Sequence, residues 1–569
     1  MTYKKHFGDY TDTELAAMSI DQLVSIIKGH QMEDNFIIMT DSYKMTHHML
    51  SPEGIEEVNS YMESRGGEME YSVFLLLQYY LKRYFCGVRI TPDKIEEARQ
   101  KNIAHFGFDC FNDAMWQHIW KEHGGRLPLY ITAVPEGTPV KVKNVMMNIV
   151  NTDKHCAPLT NISETLLMKL WAPNTVAAYA RMVRALLTKY HALTSDAPQW
   201  LVDFMHHDFG YRGVSSEESA RILGTAAMAV GFKGTDTMGT LKLCSDYYGE
   251  EMAGFSVIAS EHSVMCSYGG REMEAEAYRK IIQRVKLLCA DVNPASGVII
   301  LSLVSDTYNI YNVVYRILYD LRDEFIGWTN NHGIPIKVVV RPDSGRAENV
   351  LFGYDYTSLA DERVRDEFST IVEKVAADMS INLGLATQIV QKGIVQVLFD
   401  RFGYETNSKG FRTFHPQIGL LQGDGVEYKV IKRLLHVMYT KKIDTMCVVF
   451  GSGGKYLQAH DRDEQKYAIK ASHSIINGVS LEIEKNPITD SGKKSKRGYL
   501  KLVKTGPTWA DYVTMESWMD GYAEAKDELV PVFRNGELLA DYTLSDLRSN
   551  AELMQYDLDI IEIDTLEEA

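Results

Sequence analysis

The chain has little of what a membrane protein, a disulfide scaffold or a nucleic-acid binder needs. Its longest apolar stretches, such as Val298 to Leu301, are far shorter than the about 20 residues that span a bilayer. The seven cysteines (Cys86, Cys110, Cys156, Cys244, Cys266, Cys289 and Cys447) are odd in number and scattered, with no Cys-x-x-Cys pair. Neither a disulfide framework nor a zinc site is therefore expected, and a cytoplasmic, reducing setting is the simple reading. Positive charge is in deficit: 60 Lys and Arg against 76 Asp and Glu give a net charge of -16. That sign excludes bulk nucleic-acid binding and requires any anionic substrate to find a local basic pocket. No repeat or low-complexity tract is present, and Met1 to Tyr10 hold no apolar core, so no signal peptide is expected.

What is present is an ordinary globular composition, 45% hydrophobic and 24% charged, over 569 residues. That length predicts two domains, or a barrel with additions. Residues 1–31 read as an N-terminal extension. Residues 32–195 mix strand-like pieces (Val140 to Val150) with helical ones (Ser163 to Leu170). From 196 to 470 a rhythm sets in: a short apolar run, a polar motif, a helical pattern. The motifs are His207-Asp208-Phe209-Gly210-Tyr211-Arg212, Gly234-Thr235-Asp236-Thr237, Ser260-Glu261-His262-Ser263, Val304-Ser305-Asp306, Arg341-Pro342-Asp343-Ser344-Gly345, Gln422-Gly423-Asp424-Gly425 and Phe450-Gly451-Ser452-Gly453-Gly454. The apolar runs are short, continuous and β-branched, as buried parallel strands are. The expected fold is α/β: an irregular (β/α)8-type barrel, with a second α/β domain built from 32–195 and 471–569. An open doubly wound sheet is the alternative, but it does not use so many consecutive strand ends for one site. Past 470 come a basic run, Lys493 to Arg497, an Asn535-Gly536 hairpin signal, a terminal helix and an acidic tail expected to pack on the first 195 residues.

In a barrel the polar ends of successive strands converge, so the motifs are read as one site. The glycines of Gly451 to Gly454 and Gly423 to Gly425 let backbone N–H groups approach an anion, or simply make tight turns. Arg341 suits a phosphate, and Asp343 and Asp306 suit Mg2+ or a ribose hydroxyl; a structural Arg–Asp pair fits equally. Phe209 either stacks on a flat heterocycle or packs in the core, with Arg212 as a phosphate cation beside it. Asp236 either accepts from an amide NH2 or caps a helix. His262 is an acid/base, a phosphate acceptor or a rim histidine; with no second His at ligand spacing, zinc is disfavoured there. Lys493 to Arg497 is a solvated loop or a lid over a pyrophosphate. No Ser/His/Asp or Cys/His constellation is present. Displacement at an activated sugar needs none, only positioning and charge stabilisation.

Taken in order, these motifs resemble those of the nicotinamide phosphoribosyltransferases, of the type II phosphoribosyltransferase family. The match starts at Thr40 to Lys44 and Glu63-Ser64-Arg65. It runs through Val134 to Gly137 and Leu159 to Asn161, and is strongest at the barrel motifs above. The resemblance implies nicotinamide and phosphoribosyl pyrophosphate as substrates, Mg2+, ATP as a coupled co-substrate, and a homodimer with shared sites. Under it, Phe209 and the partner's Tyr43 sandwich the nicotinamide ring, and Asp236 accepts from the carboxamide. Arg212, His262 and Arg341 line the phosphoribosyl region, while Asp306, Asp343, Gly423 and Asp424 hold ribose and the Mg2+ shell. Ser302 counts among the substrate-binding positions. Gly453, Gly454 and Arg462 bind the 5′-phosphate, and Lys470, with the partner's Arg65, Lys485 and Lys493, binds pyrophosphate. His262 is the residue that ATP phosphorylates. The chain departs from the familiar vertebrate pattern in its N-terminal extension, in added length between Gly269 and Ser302 and between Gly345 and Phe414, and in Lys455, where a further glycine is usual.

Two rival functions remain. Nicotinate phosphoribosyltransferase is disfavoured by charge, because Asp236 would repel the carboxylate of nicotinate. A non-catalytic binding protein on the same scaffold would be expected to have lost some of these contacts.

Overall fold

A computed structural model describes residues 34–354, 358–423, 425–489 and 491–563. The extension 1–31 and Asp424 lie outside the described residues. Two compact units are present, residues 1–178 with 247–249 and 461–551, and residues 179–246 with 250–460 and 552–569.

The second unit carries the barrel. Its strands are β1 (His206–Asp208), β2 (Gly234–Thr235), β3 (Ile258–Ala259), β4 (Ile299–Val304), β5 (Ile336–Arg341), β6 (Ile418–Gln422) and β7 (Val448–Ser452). They form one sheet in the order β2-β1-β7-β6-β5-β4-β3, and every neighbouring pair is parallel. A bridge between Gly234 and Phe255, just ahead of β3, joins the two edges, so the sheet curls round on itself. Seven strands are described instead of eight, and each ends in one of the seven polar motifs. β6 is buried throughout and β4 almost so, because strands with helices on one side and a filled barrel on the other have no solvent face.

The connecting helices show why the sequence folds this way locally. Glu217–Ala229 is capped by the Ser216 hydroxyl, which accepts from the Ser219 N–H, and two glutamates open its first turn. Tyr428–Thr440 buries Ile431, Leu434, Leu435 and Met438, a stripe at helical spacing. The added length between Gly345 and Phe414 folds mainly as two helices, Glu362–Met379 and Leu383–Phe402.

The first unit is built on a seven-stranded antiparallel sheet. Its order is Val479–Glu482, Tyr467–Ile476, Ile55–Ser64, Val145–Asn151, Leu129–Ala133, Val530–Arg534, Glu537–Leu538. The Asn535-Gly536 signal is realised as a two-residue turn with both φ angles positive, 48° and 85°, pairing Arg534 with Glu537.

The unit boundaries differ from those the sequence suggested. The division falls at Ala178, inside the helix Trp171–Thr194, and at His460, instead of at 195 and 470. The C-terminal stretch from Glu552 belongs with the barrel instead of with 32–195. An ion pair explains this: the fully buried Arg181 guanidinium donates to both carboxylate oxygens of Asp557, each at 2.6 Å, and Arg184 pairs with Glu552. No described helix is long and apolar enough to cross a membrane. Removing one partner of a buried pair strands the other charge, so Asp557→Ala is expected to lower the stability of the barrel unit by about 3–5 kcal/mol. Chemical denaturation would measure this, and a loss below about 1 kcal/mol would show that the pair does not hold the C-terminal stretch.

Candidate active site

The seven strand ends gather polar residues at one end of the barrel. Beyond β1, the chain runs directly over β7. The Phe209 N–H donates to the Ser452 carbonyl at 2.8 Å. The Phe209 ring lies so close to the β7 backbone that a Cβ on Gly451 would stand 2.1 Å from its Cε2 atom. A few residues on, Gly213 and Gly454 touch backbone to backbone: a Cβ on Gly213 would meet the Gly454 Cα at 2.5 Å. The two glycine-rich segments are therefore packing devices as well as turns. Gly453 faces open space.

Phe209 also stacks at a tilt on His207, with ring centroids 4.7 Å apart. His207 reaches Asp236 at the end of β2, Nε2 to Oδ1 3.0 Å, and Ser256 donates its hydroxyl to the same carboxylate oxygen. Burial pushes the Asp236 carboxyl up, but the His207 hydrogen bond and charge, with Ser256, hold it below the ordinary aspartate range. The partners of the Asp236 side chain are thus side chains and not helix amides, which favours the acceptor reading over the helix cap. Below it, Asp208 is buried and accepts from the Gly210 N–H at 2.7 Å and the Thr235 hydroxyl at 3.2 Å. Burial raises its pKa, and burial lowers that of neighbouring His206 to about 3. Arg212 is exposed in the short turn Tyr211–Gly213.

Across the rim stand His262, Asp306 and Asp343. His262 Nε2 lies 3.9 Å from Asp306 and 3.7 Å from Asp343, and its Nδ1 is 3.1 Å from the Thr307 hydroxyl. Asp306 Oδ2 accepts from the Asp343 N–H at 3.0 Å and from the Ser344 hydroxyl. Its other oxygen is buried and has no hydrogen-bond partner. Two hard carboxylates, one with an orphaned buried oxygen, fit Mg2+. Arg341 donates from Nη2 to the Ser260 carbonyl at 2.7 Å, while its Nε is a second buried orphan and the Ser302 hydroxyl a third. Gly423 sits under Asp343, where a Cβ would come within 3.0 Å of Oδ1. Buried polar atoms without partners are rare in folded proteins, and three in one strand-end cluster point to a polar ligand.

The remaining expected residues belong to the first unit. Tyr43 is 60% exposed in the turn Ser42–Thr46. Lys470 pairs across strands with Tyr61, four residues before Arg65. Burial lowers the Lys470 pKa, and Arg65, Lys485 and Lys44 lower it further, although Glu164 opposes them. Lys470, Arg65 and Lys485 therefore form one electropositive group within a single chain. The resemblance divided them between subunits; in one chain Arg65 and Lys485 already lie near enough to Lys470 to lower its pKa. Arg65 binds Glu63 at 2.9 Å through Nε and leaves Nη2 buried without a partner. Lys493 lies in the turn Ser491–Lys493, and exposed Arg462 pairs with Asp463 at 3.0 Å. Arg462 lies in a different unit from Gly453 and Gly454. Lys455 pairs with Glu427.

Ser256 and Thr307 lie outside the motifs read from the sequence, and His207, Asp208, Ser344 and Lys44 stand in those motifs without a role of their own. Adjacent titratable residues at a strand end, as at His206 to Asp208, are the signal that could have marked some of them.

The profile of the nicotinate phosphoribosyltransferase (NAPRTase) family matches residues 204–537, and that of the nicotinamide phosphoribosyltransferase N-terminal domain matches residues 35–131. A protein named nicotinamide phosphoribosyltransferase from Xanthomonas campestris is 34% identical over 91% of this chain and 98% of its own length. One of the same name from Acinetobacter baylyi is 29% identical over 89% and 95%. The crystal structure of nicotinate-nucleotide pyrophosphorylase from Pyrococcus furiosus aligns over 93% of this chain and 98% of its own at 12% identity, with a TM-score of 0.49, too distant to carry residues over. By the extent of these sequence matches, the chain belongs to the nicotinate phosphoribosyltransferase family.

Proposed function

We propose that this chain is a pentosyltransferase that converts nicotinamide and phosphoribosyl pyrophosphate to nicotinamide mononucleotide and pyrophosphate, a reaction of NAD biosynthesis. The observation that carries the choice of base is Asp236: a carboxylate held ionised by His207 and Ser256, beside the ring of Phe209. Nicotinamide offers that carboxylate two N–H donors, whereas nicotinate offers a second negative charge. The relatives named nicotinamide phosphoribosyltransferase support the same choice.

In this reading the ring nitrogen of nicotinamide attacks the ribose C1′. The bond from C1′ to the pyrophosphate oxygen breaks, and pyrophosphate leaves with the electron pair. No proton needs to move. The protein has to align base and sugar and to stabilise positive charge at C1′ and negative charge on the leaving group. Phe209 and Asp236 orient the base, and Arg341 with its free Nε faces the phosphoribosyl group. Asp306 and Asp343 would hold Mg2+, which supplies charge neutralisation to the pyrophosphate.

The reading extends to a homodimer in which Tyr43 and the Arg65, Lys470, Lys485 and Lys493 group of one subunit serve the barrel of the other. It also includes ATP, whose γ-phosphoryl group passes to a His262 ring nitrogen with release of ADP. What supports the last step is an exposed imidazole beside two carboxylates that suit a metal. The cytoplasm is the expected setting.

Nicotinamide is expected to be used far better than nicotinate in a paired kinetic assay, and Asp236→Ser to narrow that ratio. Equal use of the two bases by the parent enzyme would refute the assignment. Gly451→Ala is expected to push Phe209 off β7 and raise the KM for nicotinamide, with some loss of stability. An unchanged KM would take Phe209 out of the base site. His262→Ala should lose stimulation by ATP and keep some basal transfer; full stimulation of the variant would exclude the phosphohistidine.

A further inference from the structure

A second constellation stands in the antiparallel-sheet unit, among residues that the reaction does not use. His118 lies on the helix Asp113–Glu122, and His123 caps its C-terminus. Asp153 caps the short turn Lys154–Cys156, which leads into the helix Ala157–Met168. One donor atom each from His118, His123, Asp153 and Cys156 all lie within 4.8 Å of one another. The two pairs are thirty positions apart, from 123 to 153, and although His118 and His123 have the spacing of a zinc histidine pair, no Cys-x-x-Cys accompanies them. This is why the sequence suggested no zinc site.

The contacts within the cluster converge on one oxygen, as ligands around a cation do. A single oxygen of Asp153, Oδ2, is faced by His118 Nε2 at 2.9 Å and by His123 Nε2 at 2.8 Å. Either both rings carry a proton on that nitrogen, or a cation sits between the three. The site is recessed: the two imidazoles are 25% and 22% exposed, Asp153 is 19% exposed, and the Cys156 side chain closes the inner side, fully buried. Its frame is also held. The Asn151 side-chain amide donates to the Asp153 carbonyl at 2.9 Å and to the Glu56 carbonyl at 2.8 Å. His155 Nδ1 lies 3.0 Å from the second Asp153 oxygen, where it orients the carboxylate as an outer partner.

The donor set decides which cation fits. Two nitrogens, one carboxylate oxygen and one sulfur exclude Mg2+ and Ca2+, which require oxygen ligands. They suit a tetrahedral borderline-soft ion, whose bonds of about 2.0–2.3 Å put neighbouring ligands about 3.3–3.8 Å apart.

We propose that His118, His123, Asp153 and Cys156 form a structural zinc site that ties the helix Asp113–Glu122 to the entrance of the helix Ala157–Met168. The site takes no part in phosphoribosyl transfer.

The test uses the untagged full-length protein, stripped with a chelator and dialysed against zinc alone. The expected result is one zinc per chain by elemental analysis, with a rise in Tm on reloading. His123→Ala and Cys156→Ser should each lose the stoichiometric zinc, and His155→Ala should bind about tenfold more weakly. Cobalt in place of zinc should show a thiolate-to-metal charge-transfer band that Cys156→Ser abolishes. If Cys156→Ser does not fold, the partly exposed His123→Ala, checked by circular dichroism and basal transferase activity, decides. A parent protein that holds no stoichiometric zinc, or a folded His123→Ala that holds as much as the parent, would overturn the proposal and leave a hydrogen-bonded histidine–aspartate cluster.

Discussion

The barrel depends on how closely its first strand can approach its last. β1 pairs with β7, nearly 250 residues later, and the chain beyond β1 continues over β7 instead of turning away. That course requires a bare backbone at Gly451, where Phe209 lies, and glycines at 213 and 454, where the two segments touch. The contact between the first and last strands of the chain's barrel therefore also sets the plane of Phe209. Through the His207 ring it orients Asp236 as well. Under the proposed function stability and base recognition are joined at this place, since the same van der Waals contact would serve both.

Charge is distributed with equal economy. A chain of net charge -16 has to bind a highly anionic substrate. It concentrates cations locally: Arg341 in the barrel, and Lys470, Arg65 and Lys485 near one another in the other unit. Arg341 and Arg65 each keep a buried nitrogen without a partner, which costs stability in the free protein; under the proposed function a phosphate would supply that partner. Under the same proposal a divalent cation would satisfy the orphaned oxygen of Asp306.

Much of the architecture was legible along the chain because it is written in short-range patterns. Buried parallel strands must be continuous and apolar, so Ile299–Val304 and Ile336–Arg341 announce themselves, and the polar residues that end them mark the rim. The Asn535-Gly536 turn is local chemistry, since both residues tolerate positive φ. The unit boundaries were not legible. The bond that assigns the C-terminal stretch joins Arg181 to Asp557, and no local pattern links residues so far apart.

The sequence by itself determined the class of fold, the seven strand ends and the list of side chains available to a phosphoribosyl site, because periodicity and turn chemistry act over a few residues. Only the tertiary structure decided which of those side chains meet. It showed that Asp236 is held by His207 and Ser256, that Lys470 joins Arg65 and Lys485 within one chain, and that three buried polar atoms of the rim lack partners. It also gathered His118, His123, Asp153 and Cys156 from two separate stretches into one cluster. Such contacts depend on strand register and helix packing across tens to hundreds of residues, where spacing along the chain no longer predicts distance.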